Sequence, residues 1–446
     1  MQELNRRSLL VASGALLASG GCAHRGSVHS EHLAAYVFLF PLYEFARTAW
    51  QAAAPGPSRP IHGFNRFNHR RILSDHTHRA IAAPNADTVY SSARLDLSNG
   101  GVVIDVPTVR DRYFSLAFMN AMTDHFAYIG TRATAGEGGR FMVVGPAWQG
   151  RAPPGVRVLQ SETNDVWALA RVGVRDQADL AAANVVQDQL VIVSAPEPRI
   201  AMPPAGSIED PEHFLATANA MLGRVAADGA IAHRARDFHA LGVAPGRVDA
   251  WPMLSEDQKS AWRTAATVAH TIMREGEPMW AETVNGWRYP APGIGGRRAS
   301  EIVRACVALS GLAALEDEEA TYMRAETDSE ELPFDGRNRY RIMLNADAPV
   351  DGFWSLSLYR REPDGRLFFH ENAIGRFNIS DRIIGLVRTA DGSIPIAIQS
   401  DPASANANWL PAPTGPFSLT FRAYLPRQDL LARRWRLPPI ARIERP

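Results

Sequence analysis

The segment FSLTFRAYL, residues 417–425, alternates strictly between apolar and polar side chains. In an extended chain its apolar members face one way and its polar members face the other. This pattern is typical of a strand with one face on a core and one polar face. It predicts an antiparallel β domain at the C-terminal end of the chain. The apolar set is Phe417, Leu419, Phe421, Ala423 and Leu425, and the polar set is Ser418, Thr420, Arg422 and Tyr424.

Residues 353–359 and 394–398 alternate similarly. Further toward the N-terminus, short β-prone runs follow one another between residues 102 and 174, separated by Gly-rich or Pro-rich links. Such spacing favours an antiparallel sandwich or barrel over a parallel α/β sheet. The runs are Val102–Val106, Tyr113–Met119, Phe141–Val144, Val156–Leu159 and Val166–Val172.

The middle of the chain has helical periodicity. Asp210-Pro211 supplies an N-cap and a first-turn proline, and Ser255 with Gln258 forms a capping box before a helix that ends at Gly276. A third helix is predicted from Ser300 to about Leu315. The predicted fold is therefore mainly β: two antiparallel β-sandwich domains, the second jelly-roll-like, joined by a helical connector.

The chain has 446 residues, which suits two or three domains. We predict an export signal at residues 1–22, an N-terminal β-sandwich domain at 31–205, a helical connector at 206–332 and a C-terminal jelly-roll-like domain at 333–446. Lys+Arg and Asp+Glu are equal at 47 each, which argues against a general nucleic-acid-binding surface.

The N-terminus predicts export to the periplasm or cell envelope. Asn5-Arg6-Arg7-Ser8-Leu9-Leu10 resembles a twin-arginine signal, and its apolar run is too short to span a membrane. The segment ends in Ser19-Gly20-Gly21-Cys22, which resembles a lipoprotein processing site. Lipidation of Cys22 and simple cleavage both remain open, so any membrane contact is expected through that lipid alone.

Cys306 is the second of the two cysteines. It lies in an apolar run without a neighbouring His or acid, so we interpret it as a buried helix residue and not as a nucleophile. No disulfide is expected in the mature chain.

The motifs Pro84–Ser91, Gly130-Thr-Arg132 and Gly145–Trp148 resemble the domain of unknown function DUF1254. Phe353–Leu356, Ala390–Ser393 and Asn408–Pro413 are similar to its companion, DUF1214. The resemblance runs from about Tyr36 to Ile443 and implies two β-sandwich domains with helices between them. It implies no reaction, cofactor or catalytic residue. Arg360 and Arg361 follow Leu358-Tyr359 where the resemblance leads us to expect an acidic residue.

The segment APNADTVYS, residues 83–91, is the first candidate site. Asn85 and Asp87 can bond neighbouring backbone amides in a turn that leads into a strand, and this structural interpretation accounts for every residue. The functional hypothesis makes Asp87 an acid or base, Tyr90 a hydrogen-bond donor and Asn85 a substrate ligand at a strand end.

A second candidate cluster lies at residues 120–125. Asp124 either faces Asp87 across a cleft as a carboxylate pair or caps a turn, and Asn120 is a candidate substrate ligand. In the C-terminal part, Arg376 and Asn378 are candidate substrate ligands, because a guanidinium can grip a carboxylate or phosphate. An ordinary ion pair is the alternative for Arg376.

Other features have weaker functional alternatives. His62, His69, His76 and His78 could hold a divalent metal, although no metalloenzyme motif is present and no cofactor is predicted. Trp409 and Tyr359 are either a stacking platform or core aromatics. Serine-esterase, nucleotide-hydrolase and dinucleotide signatures are absent from the sequence.

Two hypotheses for function follow. The first is an envelope enzyme, a hydrolase or lyase, that acts on a small organic or carbohydrate-like compound between the domains, with Asp87, Tyr90 and Asp124 in proton transfer. The second is a non-catalytic envelope protein that binds a glycan, lipid or protein partner. The sequence leaves the oligomeric state open.

Overall fold

The computed structural model describes residues 23–53, 63–79, 82–199, 206–345, 347–362, 366–404 and 407–443. The predicted export signal, Cys22 and His62 lie outside them. Strand accounts for 31% of the chain and helix for 24%, which confirms the predicted mainly β class. None of the described helices is both long enough and apolar enough to cross a membrane.

The N-terminal sandwich consists of two sheets with an apolar core between them. The N-terminal large sheet has the order β1-β2-β8-β4-β5, and its partner has the order β7-β6-β3-β9. All five predicted strands are present, although β6 and β7 pair in parallel. The strands are β1 (Asn68–Arg70), β2 (Thr88–Asp96), β3 (Val102–Val106), β4 (Phe114–Asn120), β5 (His125–Gly130), β6 (Gly139–Val144), β7 (Arg157–Gln160), β8 (Asp165–Gly173) and β9 (Val191–Ser194).

The helices between residues 23 and 310, other than the one at residues 180–188, form a layer around the first helix, α1, whereas the helix at 180–188 packs on the N-terminal sandwich. The α1 segment from Leu33 to Ala49 is buried on almost every side, as expected of a helix at the centre of a bundle. The predicted helix that starts with the Ser255 capping box is present and ends at Gly276 in a left-handed conformation. The helices are α1 (Ala23–Ala53), α2 (Leu180–Asp188), α3 (Pro211–Leu222), α4 (Ala230–Arg236), α5 (Glu256–Glu275) and α6 (Glu301–Ser310).

The C-terminal sandwich starts earlier than residue 333. The C-terminal large sheet has the order β10-β11-β12-β19-β14-β15, with β16 on β14, and the second sheet has the order β18-β17-β13-β20. A short helix, α7 (Gln428–Leu431), follows β19. The strands are β10 (Trp280–Val284), β11 (Trp287–Pro290), β12 (Ala320–Ala325), β13 (Arg339–Leu344), β14 (Val350–Arg361), β15 (Leu367–Phe368), β16 (Asn378–Ser380), β17 (Ile394–Gln399), β18 (Asn408–Pro411), β19 (Phe417–Pro426) and β20 (Ala441–Ile443).

The β10–β11 hairpin therefore falls inside the segment that was predicted to be a helical connector. Its two-residue turn is Asn285-Gly286, and both residues have positive φ, at 54° and 80°. This is the geometry of a type I′ turn, for which Asn-Gly is the preferred pair because its twist matches that of the strands. The hairpin continues into β12 and so extends the C-terminal large sheet.

The two large sheets meet face to face. Phe353 and Tyr424 of the C-terminal sheet stack on each other with ring centroids 4.1 Å apart, and Tyr113 packs edge-on against Tyr424 at 5.1 Å. Ala117 of β4 joins this contact. As a result the face of β19 opposite its core is covered by the N-terminal sandwich.

Candidate functional site

A layer of polar side chains fills the contact between the two large sheets, and we call it the interdomain polar layer. Its members within one sheet lie on the same face, because opposed residues of an antiparallel pair share one side of the sheet. Ser355 and Tyr322 are opposed to Arg422 in this way. Most are buried, while Tyr90, Tyr322, Arg324 and Asn378 keep some accessible surface. The layer comprises Asp87, Tyr90, Ser115 and Arg171 from the N-terminal sandwich, and Tyr322, Arg324, Ser355, Ser357, Tyr359, Asn378, Thr420, Arg422 and Tyr424 from the C-terminal sandwich.

Asp87 lies just before β2 and is only 2% exposed. One carboxylate oxygen accepts a hydrogen bond from Ser355 Oγ, and the other accepts one from Asn378 Nδ2, both at 2.6 Å. The structure thus brings together Asp87 and Asn378, which the sequence singled out separately. Their roles in catalysis and binding stay predictions.

Asn85 takes part both in its own turn and in the domain contact. Its Oδ1 accepts from the backbone N–H of Asp87 at 2.6 Å, as the structural interpretation expects. Its Nδ2 donates to the hydroxyl of Tyr424, also at 2.6 Å, across the domain boundary. The carbonyl of the preceding Pro84 accepts from Tyr359 at 2.6 Å. The C-terminal sandwich therefore holds this loop in place.

Arg171 projects from β8 into the middle of the layer and is 6% exposed. One terminal nitrogen donates to the carbonyl of Ala313 at 2.9 Å, and the other, Nη1, has no hydrogen-bond partner in the part of the chain that the structure describes. Burial opposes its charge, but nearby tyrosine hydroxyls raise the pKa of Arg171 overall, so it remains a cation. In order of effect these are Tyr90, Tyr322, Tyr113 and Tyr424.

Arg422 is the second buried guanidinium of the layer, at 4% exposure. It donates to Ser357 Oγ at 2.8 Å, to Tyr359 Oη at 2.6 Å and to the carbonyl of Ala83 at 3.1 Å. All three acceptors are neutral. Within the described residues, neither Arg171 nor Arg422 forms an ion pair.

Several polar atoms in the layer are buried and have no hydrogen-bond partner among the described residues. They are Ser115 Oγ, Arg171 Nη1, Arg324 Nε and Thr420 Oγ1. Most buried polar atoms in native proteins are paired, so a cluster of unpaired ones calls for an explanation. Their grouping between two domains distinguishes this layer from an ordinary packed interface.

Tyr424 adjoins both Asp87 and the other tyrosines. Burial is the main reason why the pKa of Tyr424 rises well above its usual value, followed by the charge of Asp87 and by Tyr90 and Tyr322. Burial likewise raises the pKa of Tyr322. Both hydroxyls therefore keep their protons at neutral pH and can donate hydrogen bonds.

Asp124 and Asn120 lie elsewhere, and the predicted carboxylate pair does not form. Thr88 pairs with Gly173 of β8, whereas Asn120 pairs with Val166. Seven residues of β8 separate these positions, roughly 23 Å at the usual rise of a strand. Asp124 instead binds Arg304 at 2.8 Å, and Asn120 Oδ1 accepts from two backbone amides of its own turn. The turn interpretation of this cluster is the one that the geometry supports.

Arg376 does not reach the layer either. It donates to the carbonyl of Trp409 at 2.9 Å, within the C-terminal domain. Trp409 in turn donates its indole N–H to Gln399. Tyr359 is fully buried and stacks on Phe369 at 4.8 Å, so it is a core aromatic and not an exposed platform.

The histidines near the N-terminus have separate partners. His69 hydrogen-bonds Ser91 Oγ at 2.7 Å, His78 contacts Arg70, and His76 lies 3.8 Å from Glu371. Across the described ranges no three His, Cys, Asp or Glu side chains are grouped as metal ligands. Cys306 is fully buried in α6, and burial raises the pKa of its thiol to about 12, as its structural interpretation expects.

A separate cavity of about 500 Å³ opens at the surface beside the end of β14, and we call it the Arg360 pocket. Arg360, which follows Tyr359 where the resemblance led us to expect an acidic residue, thus lines this cavity. Arg361 points elsewhere and pairs with Glu326 at 3.1 Å. The lining residues are His76, Arg79, Arg360, Phe369, His370, Glu371, Asn372 and Ala373.

Fold and site together define a protein of two β-sandwiches that enclose a polar layer. The chain matches the family model "Protein of unknown function (DUF1254)" over residues 64–194 and the model "Protein of unknown function (DUF1214)" over residues 319–428. The chain thus carries matches to both domain models, N-terminal then C-terminal. The match confirms the resemblance, and neither description names a reaction.

A solved structure from Vibrio parahaemolyticus supports the fold. The chain resembles the crystal structure of the VPA0106 protein from Vibrio parahaemolyticus with a TM-score of 0.71 and 21% identity, over 94% of this chain and 100% of that one. An uncharacterised protein from Burkholderia cenocepacia aligns with a TM-score of 0.46 and 11% identity, over 98% and 95% of the two chains. No functionally curated protein matches the sequence.

Proposed function

We propose that the protein is an enzyme, a hydrolase or lyase, that acts on a small anionic organic compound held in the interdomain polar layer. The observation that carries the proposal is the pair of buried guanidinium groups, Arg171 and Arg422, whose partners are all neutral. Both sandwiches contribute to the layer, and sites between domains are common places for small ligands.

The class of ligand follows from charge. A buried cation without a counter-ion is unfavourable because it has lost its hydration. A carboxylate or phosphate of the substrate would compensate Arg171 and could accept from its free Nη1. Thr420 Oγ1 and Ser115 Oγ are further unpaired groups that an oxygen-rich ligand could engage.

The proposed chemistry is proton transfer. Asp87 would accept a proton from the substrate, and Tyr90 or Tyr424 would return one to the leaving group or the developing anion. Asn378 would position Asp87 through the hydrogen bond already described. Because the layer is buried, substrate entry would require the two sandwiches to separate or side chains to rotate.

One observation favours the non-catalytic alternative. Both oxygens of Asp87 already accept a short hydrogen bond, from Ser355 and Asn378, so the carboxylate could serve only to join the domains. The layer would then bind a ligand without reacting with it, consistent with an envelope protein that recognises a partner molecule. Turnover of the bound compound separates the two hypotheses.

The test begins with a thermal-shift screen of small carboxylic acids and phosphate esters. A compound at about one hundred times its Kd should stabilise the folded protein by about 2.7 kcal/mol. We expect Arg171→Met to abolish this stabilisation and Arg434→Met, at an exposed position, to leave it intact. No stabilising compound, or equal stabilisation of both variants, would contradict the proposal.

Mass spectrometry then decides whether the bound compound is consumed. Consumption by the wild-type protein and its loss in Asp87→Asn, with binding retained, supports catalysis. Binding without consumption in either protein supports the alternative instead.

Location in the cell envelope is part of the same proposal and rests on residues 5–10 and Cys22. We propose that the chain is exported through a twin-arginine signal. Intact-mass measurement of protein from the envelope fraction checks this: a diacylglyceryl adduct on Cys22 indicates a lipoprotein, and an unmodified shortened chain indicates simple cleavage. Full-length protein in the cytoplasm would contradict export.

A further inference from the structure

The Arg360 pocket is a surface cavity formed by residues that are distant in sequence. His76 and Arg79 come from the segment between β1 and β2, and Arg360 with His370 come from the C-terminal sandwich. At about 500 Å³ it falls within the usual size range of small-molecule sites. It is open to solvent, unlike the interdomain polar layer, so a ligand can reach it without movement of the domains.

The two arginines of the pocket share one counter-ion. Glu362 lies 2.9 Å from Arg79 and 2.8 Å from Arg360, and it is held between their guanidinium groups. Among the described residues Glu362 is the carboxylate that pairs with these two arginines, and it compensates one of their two positive charges. Because Arg79 also lies 4.2 Å over the ring of Phe368, its orientation is fixed by packing as well as by Glu362.

The other side chains that line the pocket provide further hydrogen-bond donors and acceptors. His76 and His370 offer ring N–H groups, whereas Asn372 is engaged within its own loop through Arg376 and His370. Glu371 is the carboxylate that lines the pocket, 3.8 Å from His76. Its side chain is 79% exposed and well hydrated, so it opposes an incoming anion only weakly.

We propose that the Arg360 pocket binds an oxyanion, the phosphate or carboxylate group of a small molecule, through Arg79, Arg360 and His370. A guanidinium presents parallel N–H donors that match the two oxygens of such a group. Phe369 lines the pocket and gives an apolar surface for the rest of the ligand. This site is separate from the proposed interdomain site and does not depend on it.

The two sites nevertheless adjoin. Phe369, which lines the pocket, stacks on Tyr359 with ring centroids 4.8 Å apart. Tyr359 accepts a hydrogen bond from Arg422 of the interdomain polar layer. The Arg360 pocket and the interdomain polar layer are therefore in contact through the stacked rings of Phe369 and Tyr359.

The test is calorimetric titration of the full protein with inorganic phosphate and, separately, with acetate. We expect saturable binding of at least one of them. Arg360→Gln and Arg79→Gln should each weaken that binding by about tenfold or more, since each removes a charged donor. Arg388→Gln is the matched control, because Arg388 is an exposed arginine paired with Asp347 on another part of the domain. It should leave the affinity unchanged.

The pattern of results also identifies the ligand and the site. Binding of phosphate alone assigns the phosphate class, and binding of acetate alone assigns the carboxylate class. Binding of neither anion, or equal affinity in Arg360→Gln and the wild-type protein, overturns the proposal. Binding that is lost in Arg171→Met but kept in Arg360→Gln also overturns it, and places the anion in the interdomain polar layer.

Discussion

Ser355 Oγ donates a 2.6 Å hydrogen bond to the carboxylate of Asp87 across the boundary between the two sandwiches. Asn378 donates to the other oxygen of the same carboxylate at 2.6 Å. A buried carboxylate with two short hydrogen bonds from the opposite domain joins the domains by charge-assisted contacts, which are stronger than neutral ones. The same carboxylate is therefore both the proposed proton acceptor and a structural link.

Asp87→Asn should separate these roles. The carboxylate of Asp87 accepts one hydrogen bond at each of its two oxygens. An amide at position 87 keeps one accepting oxygen but has an NH₂ group in place of the other, so one of the two hydrogen bonds is lost. We expect the free energy of unfolding to fall by about 1–3 kcal/mol in urea titrations. Asp188→Asn, at an exposed carboxylate that pairs with Arg71, should change it by less than about 0.5 kcal/mol. An equally small effect at position 87 would show that the link contributes little.

Arg171→Met tests whether the buried charge serves a ligand. A methionine removes an uncompensated buried cation and one hydrogen bond to Ala313, so the two effects nearly cancel. We therefore expect the ligand-free protein to be as stable as the wild type or up to about 2 kcal/mol more stable. Thermal and urea unfolding of the two proteins measure this. A loss of several kcal/mol would mean that Arg171 is required for the fold itself.

Arg224 provides the contrasting case of a compensated buried arginine. It lies 2.7 Å from Asp96 and 2.6 Å from Asp165, and both carboxylates are almost fully buried. Arg224→Met leaves two buried carboxylates without their counter-ion, although Asp96 keeps hydrogen bonds from Ser98 and from the backbone N–H of Arg199. We therefore expect a loss of about 3–5 kcal/mol in the free energy of unfolding. A change as small as that expected for Arg171→Met would contradict the assignment of Arg224 as a structural ion pair.

The segment FSLTFRAYL, residues 417–425, shows how much of the site the sequence predicts. Its alternation correctly predicts β19 and places Phe417, Leu419, Phe421 and Ala423 on the core face of the strand. Leu425, which was predicted on the same face, instead packs with Tyr113 and Phe353 in the contact between the two sandwiches. The pattern also predicts that the opposite face, with Ser418 and Arg422, is polar. It does not predict whether that face is exposed or buried. All ten residues of β19 are buried in the structure. The partner of that face is the N-terminal sandwich, which a local pattern cannot reveal.

A signal for this burial is nevertheless present in the composition of the strand. The polar face of β19 carries Ser, Thr, Arg and Tyr, without Lys, Glu or Asp. Lys, Glu, Arg and Asp are the residues that most consistently remain in solvent, and Arg422 is the single member of that set on this face. Arg171 lacks even this signal, because a single arginine in the apolar run of β8 is equally compatible with a strand edge.

The helix α1 was not predicted for a different reason, since its near-continuous apolar character obscures helical periodicity.

Asp381 predicts a pH dependence of stability. Burial raises the pKa of Asp381 to about 6, although the backbone N–H of Trp354 and the charge of Arg382 oppose this. In the unfolded chain the pKa of an aspartate is roughly 3.9, as in model peptides. Between these values the folded state holds more protons than the unfolded state, so stability falls as pH rises from about 4 to about 6.

Asp381→Asn removes this titration. Because the side chain is partly accessible, we expect the variant to gain about 1–2 kcal/mol over the wild type at pH 7.5, and no advantage below about pH 4. Urea unfolding of both proteins at several pH values measures the difference. A difference that stays constant across this range would exclude Asp381 as the titrating group.

Cys306 tests the packing of the helical layer. The thiol is fully buried in α6, and burial raises its pKa to about 12, so little thiolate is available at pH 8. We expect a disulfide reagent to leave Cys306 unmodified in the native protein and to label it completely in about 6 M guanidinium chloride, a concentration that unfolds most domains. Val307→Ala, at a neighbouring buried position of α6, loosens the packing and should speed up labelling under native conditions. Rapid labelling of the folded wild-type protein would show that α6 is not packed as described.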